Sequence, residues 1–376
     1  MVTAIASNAE RSTRRTFSQT TGLTMLRIED IQTPAVLIDL DKVEANLKRA
    51  QDYADSHSLP LRPHIKTHKL PRFAKRQIEL GAQGITCQKI SEAEVMADHG
   101  ITDIFLPYNI LGQAKLERLV ALARRTQLRV TADSVQTIDG LSEAFEKAGL
   151  ALEVLVECDT GMGRCGVPDH ETLVTLARHI DASPALTFSG IMTYPAAGQL
   201  DKCAQWLERA VNVLTESGLP PKIVSNGGTP DFWSAHVVEA ATEHRPGTYI
   251  YLDRYQVAAG VGTLEDCALT VLATVVSHPT PDRAVIDAGS KALTSDTLGM
   301  DGFGHVVGIE GAAVKSLSEE HGVLTLSGSA ALEIGQRIEI IPNHACVVSN
   351  LFDSVYLVSN GEIVAKEPVA ARGKVE

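Results

Sequence analysis

The sequence predicts an α/β protein in two parts: a parallel (β/α)8 barrel over residues 25–260 and an antiparallel β domain over residues 261–376. The first part alternates short apolar runs with stretches whose apolar residues recur at helical spacing. After residue 260 the chain changes to short β-rich segments punctuated by Gly, Pro and Asp. Eight alternating units over this length favour a closed barrel over a doubly wound open sheet.

The barrel prediction depends on eight apolar runs. Helical stretches such as 114–123 and 204–214 lie between them. Because each run is short, apolar and followed by a polar turn, it reads as a buried parallel strand. The predicted strands are 61–65, 84–87, 103–106, 128–132, 152–157, 187–192, 222–225 and 248–252.

The predicted β domain has few helical stretches and no low-complexity linker before it. We therefore expect it to pack tightly on the barrel. The apolar stretch 35–38 precedes the first barrel unit, so residues 25–40 are candidates to pair with this domain. The predicted strands are 269–276, 284–286, 322–326, 337–341 and 355–358.

Composition excludes several classes of function. A formal net charge of −12 argues against a nucleic-acid or anionic-membrane partner, and no run of 18 apolar residues could span a bilayer. Six cysteines without paired spacing favour reduced thiols in a cytoplasmic protein. Residues 1–24 are rich in Ser, Thr and Arg, and we interpret them as a disordered tail. The alternatives are a transit-like leader, or a start assigned too early, with Met25 as the real first residue.

Lys66 is the first candidate for chemistry. On a strand, alternate side chains share a face, so His64, Lys66 and His68 are expected together at the mouth of the barrel. Cationic neighbours, which include Arg62 and Lys69, would lower the pKa of Lys66 and free its amine to attack an aldehyde. A solvated basic turn is the alternative reading of the same residues.

Two glycine-containing turns are candidates for a phosphate site. Gly227, Gly228 and Thr229 follow the seventh apolar run, and Gly247 and Tyr249 lie at the eighth. Backbone N–H groups bared by glycine suit a phosphate, and the loops after strands seven and eight commonly bind one in such barrels. A glycine pair by itself is as often a plain turn.

His344 and Cys346 are a candidate metal pair in the β domain. If this segment is extended, both side chains project from one face and could grip one ion. A thiolate with an imidazole prefers Zn²⁺ over Mg²⁺ or Ca²⁺. By spacing alone a His-x-Cys pair is a poor predictor of metal binding.

The segment around Lys66 resembles the cofactor-lysine motif of fold-type III pyridoxal-phosphate enzymes, specifically the D-threonine aldolase and D-serine dehydratase family. The resemblance runs from residue 33 to residue 353 and implies a barrel followed by a β domain, as in the more distant alanine racemases. Its matching strings are PHIKTHK (63–69), GITCQK (84–89), ECDTGMGRCGV (157–167), SNGGT (225–229), RPGTY (245–249) and PNHACVVSNLFD (342–353).

The resemblance implies roles for individual residues. Lys66 would hold pyridoxal 5′-phosphate as a Schiff base, and Arg245 would approach the pyridine nitrogen. Arg164 is a rival for a cofactor-site role. Gln88 and Tyr194, at predicted strand ends, would line the cofactor face. The metal pair would bind a divalent ion, Zn²⁺ or Mn²⁺, and the family implies a homodimer that acts on a D-amino acid.

The resemblance further implies a lyase of D-β-hydroxy amino acids, by one of two reactions. Retro-aldol cleavage would give glycine and an aldehyde, and deamination would give a 2-keto acid and ammonia. The GRCGV string (163–167) resembles the aldolases, which we favour, whereas Cys346 resembles the dehydratases. A pyridoxal-phosphate racemase and a non-enzymatic cofactor-binding protein are further alternatives.

The base that would accept the hydroxyl proton in an aldol cleavage is not identified by the resemblance. Related aldolases follow their tyrosine with a histidine, whereas here Tyr194 precedes Pro195. His64, His68 or a hydroxide on the metal would have to serve.

Overall fold

The structure, a computed structural model, describes residues 27–376, so the proposed tail or leader (1–24) lies outside the described residues. No helix in residues 27–376 is long and apolar enough to cross a lipid bilayer. The α-helices of this part of the chain are α1 (Leu40–Ser56), α2 (Pro71–Leu80), α3 (Ile90–Asp98), α4 (Gln113–Ala123), α5 (Val135–Ala148), α6 (His170–Asp181), α7 (Leu200–Glu216), α8 (Arg254–Ala258), α9 (Ser290–Leu293) and α10 (Ala345–Leu351).

The N-terminal part contains a seven-stranded parallel sheet whose strands lie in chain order. Helices alternate with the strands, and a large apolar core lies between them. Such strands are buried on both faces, which explains why they read as continuous apolar runs. The strands are β2 (Ile85–Thr86), β3 (Asp103–Leu106), β4 (Gln127–Ala132), β5 (Leu152–Cys158), β6 (Leu186–Thr193), β7 (Ile223–Asn226) and β8 (Glu243–His244).

The first and last predicted barrel strands differ from the structure. Run 61–65 makes two isolated parallel bridges, Leu61 to His244 and His64 to Thr86, and then enters a 3-10 turn. The predicted strand 248–252 is wrong, because the strand lies at Glu243–His244 and a 3-10 turn follows at Thr248–Ile250. Pro246 has no N–H to donate, so the β8 ladder cannot continue through it.

The C-terminal part is a nine-stranded sheet in the order β10-β13-β12-β11-β14-β9-β1-β15-β16, with β10 also pairing β9. Its pairings are antiparallel except that of β1 with β15. The predicted α/β class with a C-terminal antiparallel β domain is therefore confirmed. The strands are β1 (Ala35–Asp39), β9 (Leu269–Thr280), β10 (Arg283–Ile286), β11 (Gly304–Val306), β12 (Ala312–Leu317), β13 (Gly322–Leu326), β14 (Arg337–Pro342), β15 (Ser354–Ser359) and β16 (Glu362–Pro368).

Asp253 connects the two parts next to the candidate site. It is 1% exposed; one carboxylate oxygen accepts the Gln256 N–H at the start of α8, and the other accepts the Ala345 N–H at the start of α10. A buried acceptor shared by two helix N-termini satisfies groups that would otherwise be unpaired. It holds α10, which carries Cys346, against the N-terminal part.

Candidate active site

An open cavity of about 570 Å³ lies where the parallel strands end. Every loop that contributes to it follows the carboxyl end of a strand or of the bridging segment 61–64, the position where such sheets carry their chemistry. Its wall is formed by His64, Lys66, Gln88, Pro107, Arg164, Met192, Tyr194, Gly227, Gly228, Thr229, Pro230, Arg245, Gly247, Thr248 and Gln256.

Ten residues singled out from the sequence line this cavity: His64, Lys66, Gln88, Arg164, Tyr194, Gly227, Gly228, Thr229, Arg245 and Gly247. His68, Tyr249 and the His344–Cys346 pair do not line it. Sequence reasoning missed Gln256, which is 5% exposed and reaches the wall from α8. Since α8 carries none of the strings that suggested the site, no signal pointed to this glutamine.

Lys66 lies in a 3-10 turn, Ile65–Thr67, so the prediction that His64, Lys66 and His68 share a strand face is wrong. The turn sends His68 into the protein, where its Nδ1 accepts the Leu70 N–H at 3.1 Å. Burial lowers the pKa of His68 to about 3, which makes the ring neutral.

The pKa of Lys66 is lowered, chiefly by burial and further by Arg164 and Arg245. The direction agrees with the sequence prediction, but the cause differs, because carboxylates neutralise both Arg62 and Lys69. No protein group in residues 27–376 hydrogen-bonds to the Lys66 Nζ. A half-buried amine with a lowered pKa and no partner is suited to attack an aldehyde carbon.

His64 holds the Lys66 turn and has no free lone pair. Its Nδ1 accepts the backbone N–H of Lys66 at 3.4 Å, so the neutral ring carries its proton on Nε2 and donates it to Gln88 Oε1 at 2.9 Å. Burial lowers the pKa of His64 well below its ordinary value. In this state His64 orients its neighbours and is not available as a base.

Glycines 227 and 228 form a cradle that a side chain would fill. Gly227 has a φ of +102°, and a Cβ there would lie 2.0 Å from the His244 ring. A Cβ on Gly228 would lie 2.8 Å from the Tyr194 ring. Glycine is therefore required at both positions, and the backbone N–H groups there can bind an anion such as a phosphate.

The two predicted phosphate loops are joined directly. The N–H of Gly247 donates to Thr229 Oγ1 at 3.0 Å. Tyr249 turns away from the cavity, since its hydroxyl accepts a hydrogen bond from Gln77 at 2.9 Å and its ring stacks on Phe232. Its side chain therefore belongs to the core beneath the site.

Arg245 is fixed beneath the cavity. Its guanidinium donates to the Ser225 hydroxyl and to the Thr193 carbonyl, the latter at 2.7 Å, and Ser225 in turn donates to Glu243. Burial lowers the pKa of Arg245 to about 10. The side chain thus stays cationic at neutral pH but is held in a single orientation.

Arg164 reaches the cavity from the loop after β5. The carboxylate of Asp159 accepts the N–H groups of Gly161 and Gly163, which fixes the bend of this loop. The Arg164 guanidinium then lies 5.1 Å from the centre of the Tyr194 ring, within range of a cation–π interaction. Arg164 is exposed on this loop, whereas Arg245 is buried.

Glu157, at the end of β5, is a titratable residue that sequence reasoning did not select. It is 5% exposed, and burial raises its pKa from 4.5 to about 7, although Arg164 and Arg245 act to lower it. It opens the string ECDTGMGR, but nothing in the sequence distinguishes a buried glutamate from an exposed one at a strand end.

Replacing Glu157 with glutamine is expected to remove a pH-dependent loss of stability. A carboxyl group with a raised pKa stabilises the fold below its ordinary pKa of 4.5 and loses this contribution as the pH rises through about 7. The free energy of unfolding is compared between the wild type and Glu157→Gln at each pH. Between about pH 5 and pH 8, the wild type should lose about 2 kcal/mol relative to the variant. Urea unfolding measures this, with Glu153→Gln, an exposed change on the same strand, as control. A constant difference would contradict the assignment.

His344 and Cys346 lie at the start of α10, so the prediction of an extended pair is wrong: His344 is the N-cap and Cys346 is in the first turn. The helix still directs the thiol towards the cavity. Cys346 Sγ is 3.2 Å from Thr67 Oγ1, next to Lys66, and 3.4 Å from the hydroxyl of Thr248 in the cavity wall.

The donor chemistry of the pair fits a soft divalent ion. Burial opposes ionisation of Cys346, but the hydrogen bond and charge of His344 lower the thiol pKa overall. Burial likewise opposes protonation of His344, yet Cys346 and Asp296 raise its pKa to about 9. Thiolate and imidazole suit Zn²⁺. Within residues 27–376, no three His, Cys, Asp or Glu side chains are grouped so that they could hold a metal ion.

Comparison with known protein families matches most of the chain. Residues 38–255 match the N-terminal domain of alanine racemases, and residues 268–358 match the serine dehydratase domain. The D-threonine aldolase of an Arthrobacter species is 35% identical, over 91% of this chain and 93% of the relative. The D-threo-3-hydroxyaspartate dehydratase of a Delftia species is 31% identical, over 89% of this chain and 96% of the relative.

Solved structures agree with these matches. The D-threonine aldolase of Filomicrobium marinum superimposes with a TM-score of 0.88 at 33% identity, covering 94% of this chain and 99% of that one. A cysteine-to-alanine variant of D-threo-3-hydroxyaspartate dehydratase, described as a metal-free form, superimposes with a TM-score of 0.85 at 30% identity over 92% and 98%. This chain therefore belongs to the fold-type III pyridoxal-phosphate enzymes, in the family of D-threonine aldolase and D-threo-3-hydroxyaspartate dehydratase.

Proposed function

We propose that this chain is a pyridoxal-phosphate- and divalent-metal-dependent lyase that cleaves D-β-hydroxy amino acids of the D-threonine type to glycine and an aldehyde. One observation carries the proposal: the amine of half-buried Lys66, which has no hydrogen-bond partner in residues 27–376, lines the same cavity as the glycine cradle, and the Cys346 thiol contacts that cavity's wall. The identity with D-threonine aldolase over nine-tenths of the chain supports the aldolase reaction.

The cavity has residues suited to the aldehyde, the phosphate and the pyridine nitrogen of the coenzyme. Lys66 would hold the aldehyde carbon, and the backbone N–H groups of Gly227 and Gly228 would hold the phosphate. Arg245, cationic and fixed, would hydrogen-bond the pyridine nitrogen without giving up a proton. When bound, pyridoxal phosphate withdraws electrons from the α-carbon of the attached amino acid.

His344 and Cys346 would hold the divalent ion, Zn²⁺ or Mn²⁺. The metal-free cysteine variant of D-threo-3-hydroxyaspartate dehydratase supports a cysteine ligand in this family. Asp296 accepts from His344 Nδ1 at 2.8 Å, which leaves Nε2 as the ligand atom and orients the ring. A bound ion supplies Lewis acidity to a hydroxyl oxygen beside it.

Dehydration to a 2-keto acid and ammonia is the second candidate, and the state of the histidines favours it. Retro-aldol cleavage requires a base for the hydroxyl proton, but His64 has both ring nitrogens engaged and His68 is outside the cavity. Dehydration instead requires a base at the α-carbon, which Lys66 can supply, and an acid at the leaving hydroxyl. The dehydratase relative is consistent with this reaction.

A product assay with D-threonine and D-serine tests both candidates. We expect acetaldehyde and glycine from D-threonine, with turnover on the order of 10 s⁻¹ in the presence of Zn²⁺ or Mn²⁺. Keto acid with ammonia from either substrate would instead establish the dehydratase. If neither product set forms with metal and coenzyme added, both candidates fail; conversion of D-alanine to L-alanine would then indicate a racemase.

We further infer that residues 61–64 act as the first strand of an eight-membered barrel. Leu61 bridges β8 at His244 and His64 bridges β2 at Thr86, both in parallel. The N–H of Arg62 donates to the His244 carbonyl at 2.9 Å, so the segment lies between the two edges of the seven-stranded sheet.

A further inference from the structure

Glu92, in the first turn of α3, binds two segments of the cavity wall at once. It is 1% exposed. One carboxylate oxygen accepts from Lys69 Nζ at 2.7 Å, and the other accepts the backbone N–H of Gln88 at 2.8 Å. Lys69 follows the Lys66 turn, and Gln88 lies in the wall, but Glu92 itself lines no part of the cavity.

Both contacts of Glu92 lead back to Lys66. On one side, the side chain of Gln88 accepts from His64 Nε2, and His64 Nδ1 accepts the N–H of Lys66. On the other side, the N–H of Lys69 donates to the Ile65 carbonyl at 2.7 Å, which closes the same turn. Two paths of hydrogen bonds, one through Gln88 and His64 and one through Lys69, therefore connect the Glu92 carboxylate to the turn that carries Lys66.

Lys69 makes these hydrogen bonds from an uncommon backbone conformation. Its φ is +56°, a conformation that costs free energy in a residue with a long side chain. Its ammonium also donates to the Ala371 carbonyl at 3.3 Å, and the N–H of Ala371 donates back to the Lys69 carbonyl at 3.1 Å. The side chains of Lys69 and Glu92 are 7% and 2% exposed, so neither charge is stable without the other.

We propose that the buried Lys69–Glu92 ion pair is a positioning device for Lys66, fixing the turn that presents its amine without contacting substrate or coenzyme. The inference rests on the proposed function only in that Lys66 holds the coenzyme. If the pair had only a packing role, its loss would change the stability of the fold alone. If it positions Lys66, its loss also changes the reactivity of the Lys66 amine in protein that is fully folded.

The test replaces the pair by apolar side chains of similar size, Lys69→Met with Glu92→Leu. Removing both charges of a buried pair together is commonly tolerated by the fold. We expect the double variant to retain its coenzyme but to lose about 10- to 100-fold in kcat, with KM within about twofold, since misplacement of a reacting group has effects of this size. The pH midpoint of the coenzyme's visible absorbance should shift as well.

Three further variants complete the experiment. Glu94 lies on α3 with Glu92 and forms a half-exposed ion pair with Arg118 of α4, so Glu94→Gln is the matched control and should leave kcat and the midpoint unchanged. Lys69→Arg keeps the charge and should retain most of the activity. If the double variant does not fold, the near-isosteric Glu92→Gln provides the same readouts.

The outcomes separate this inference from the proposed function. A folded double variant, or folded Glu92→Gln, with wild-type kcat and an unshifted midpoint overturns the positioning role while the proposed function stands. A wild-type protein that takes up no pyridoxal phosphate overturns the proposed function, and the positioning role with it.

Discussion

Replacing Lys66 with alanine is expected to abolish the visible absorbance of bound pyridoxal phosphate and to lower kcat by at least about 10³-fold. Of the lysines that the structure describes, Lys66 is the one that lines the cavity, and burial keeps its amine pKa low. Without that amine, the coenzyme would be held only by its phosphate and ring contacts. Absorbance spectra after dialysis against coenzyme-free buffer measure the first effect, and product formation measures the second.

Lys291→Ala is the matched control for this prediction. Lys291 lies on α9, is exposed and pairs with Glu319 and Glu320, so its loss should change neither spectrum nor kcat. A Lys66→Ala protein that keeps the wild-type absorbance after dialysis would exclude Lys66 as the anchor. Denatured-state effects do not confuse the comparison, because both variants are measured in the folded state.

The central strands of the parallel sheet were predictable because their apolar composition indicates that they are buried. The run 103–106 coincides with β3, and the run 152–157 lacks one residue of β5. A strand covered on both faces must be apolar at nearly every position, and this constraint survives in the sequence without reference to any distant residue.

The edges of the sheet were less predictable because tertiary contacts define them. β8 is two residues long, and its sequence, Glu243–His244, is polar because Glu243 faces Arg62 and Ser225 in the interior. The apolar run that follows packs in the core as a 3-10 turn instead. Periodicity reports burial, but it does not distinguish a buried strand from a buried turn.

The same limit applies to the electrostatics of the site. The sequence shows that Arg62 and Lys69 lie near Lys66, but it does not show that Glu243 and Glu92 neutralise them from other elements. The prediction of a lowered pKa for Lys66 thus had the right direction and the wrong cause. Burial, which only the fold reveals, is the dominant effect.

Replacing Cys346 with alanine is expected to lower kcat by at least about 100-fold while the visible absorbance of the coenzyme remains. The thiol lies on α10 and contacts Thr67 and Thr248, whereas Lys66 and the glycine cradle belong to loops of the N-terminal part. Coenzyme binding and metal binding should therefore be separable. Excess chelator should have the same effect on the wild type, and Zn²⁺ or Mn²⁺ should restore its activity. Metal content, absorbance and product formation are measured on the same samples.

Cys165→Ala distinguishes loss of the metal ligand from loss of any thiol. Cys165 is exposed on the loop after β5, and its replacement should leave metal content unchanged. If the wild type keeps full activity in excess chelator, or Cys346→Ala keeps both its metal and its kcat, the pair has no metal role. His344 and Cys346 would then form a hydrogen-bonded pair beside the cavity wall, with Asp296 accepting from His344 and Thr248 contacting the thiol.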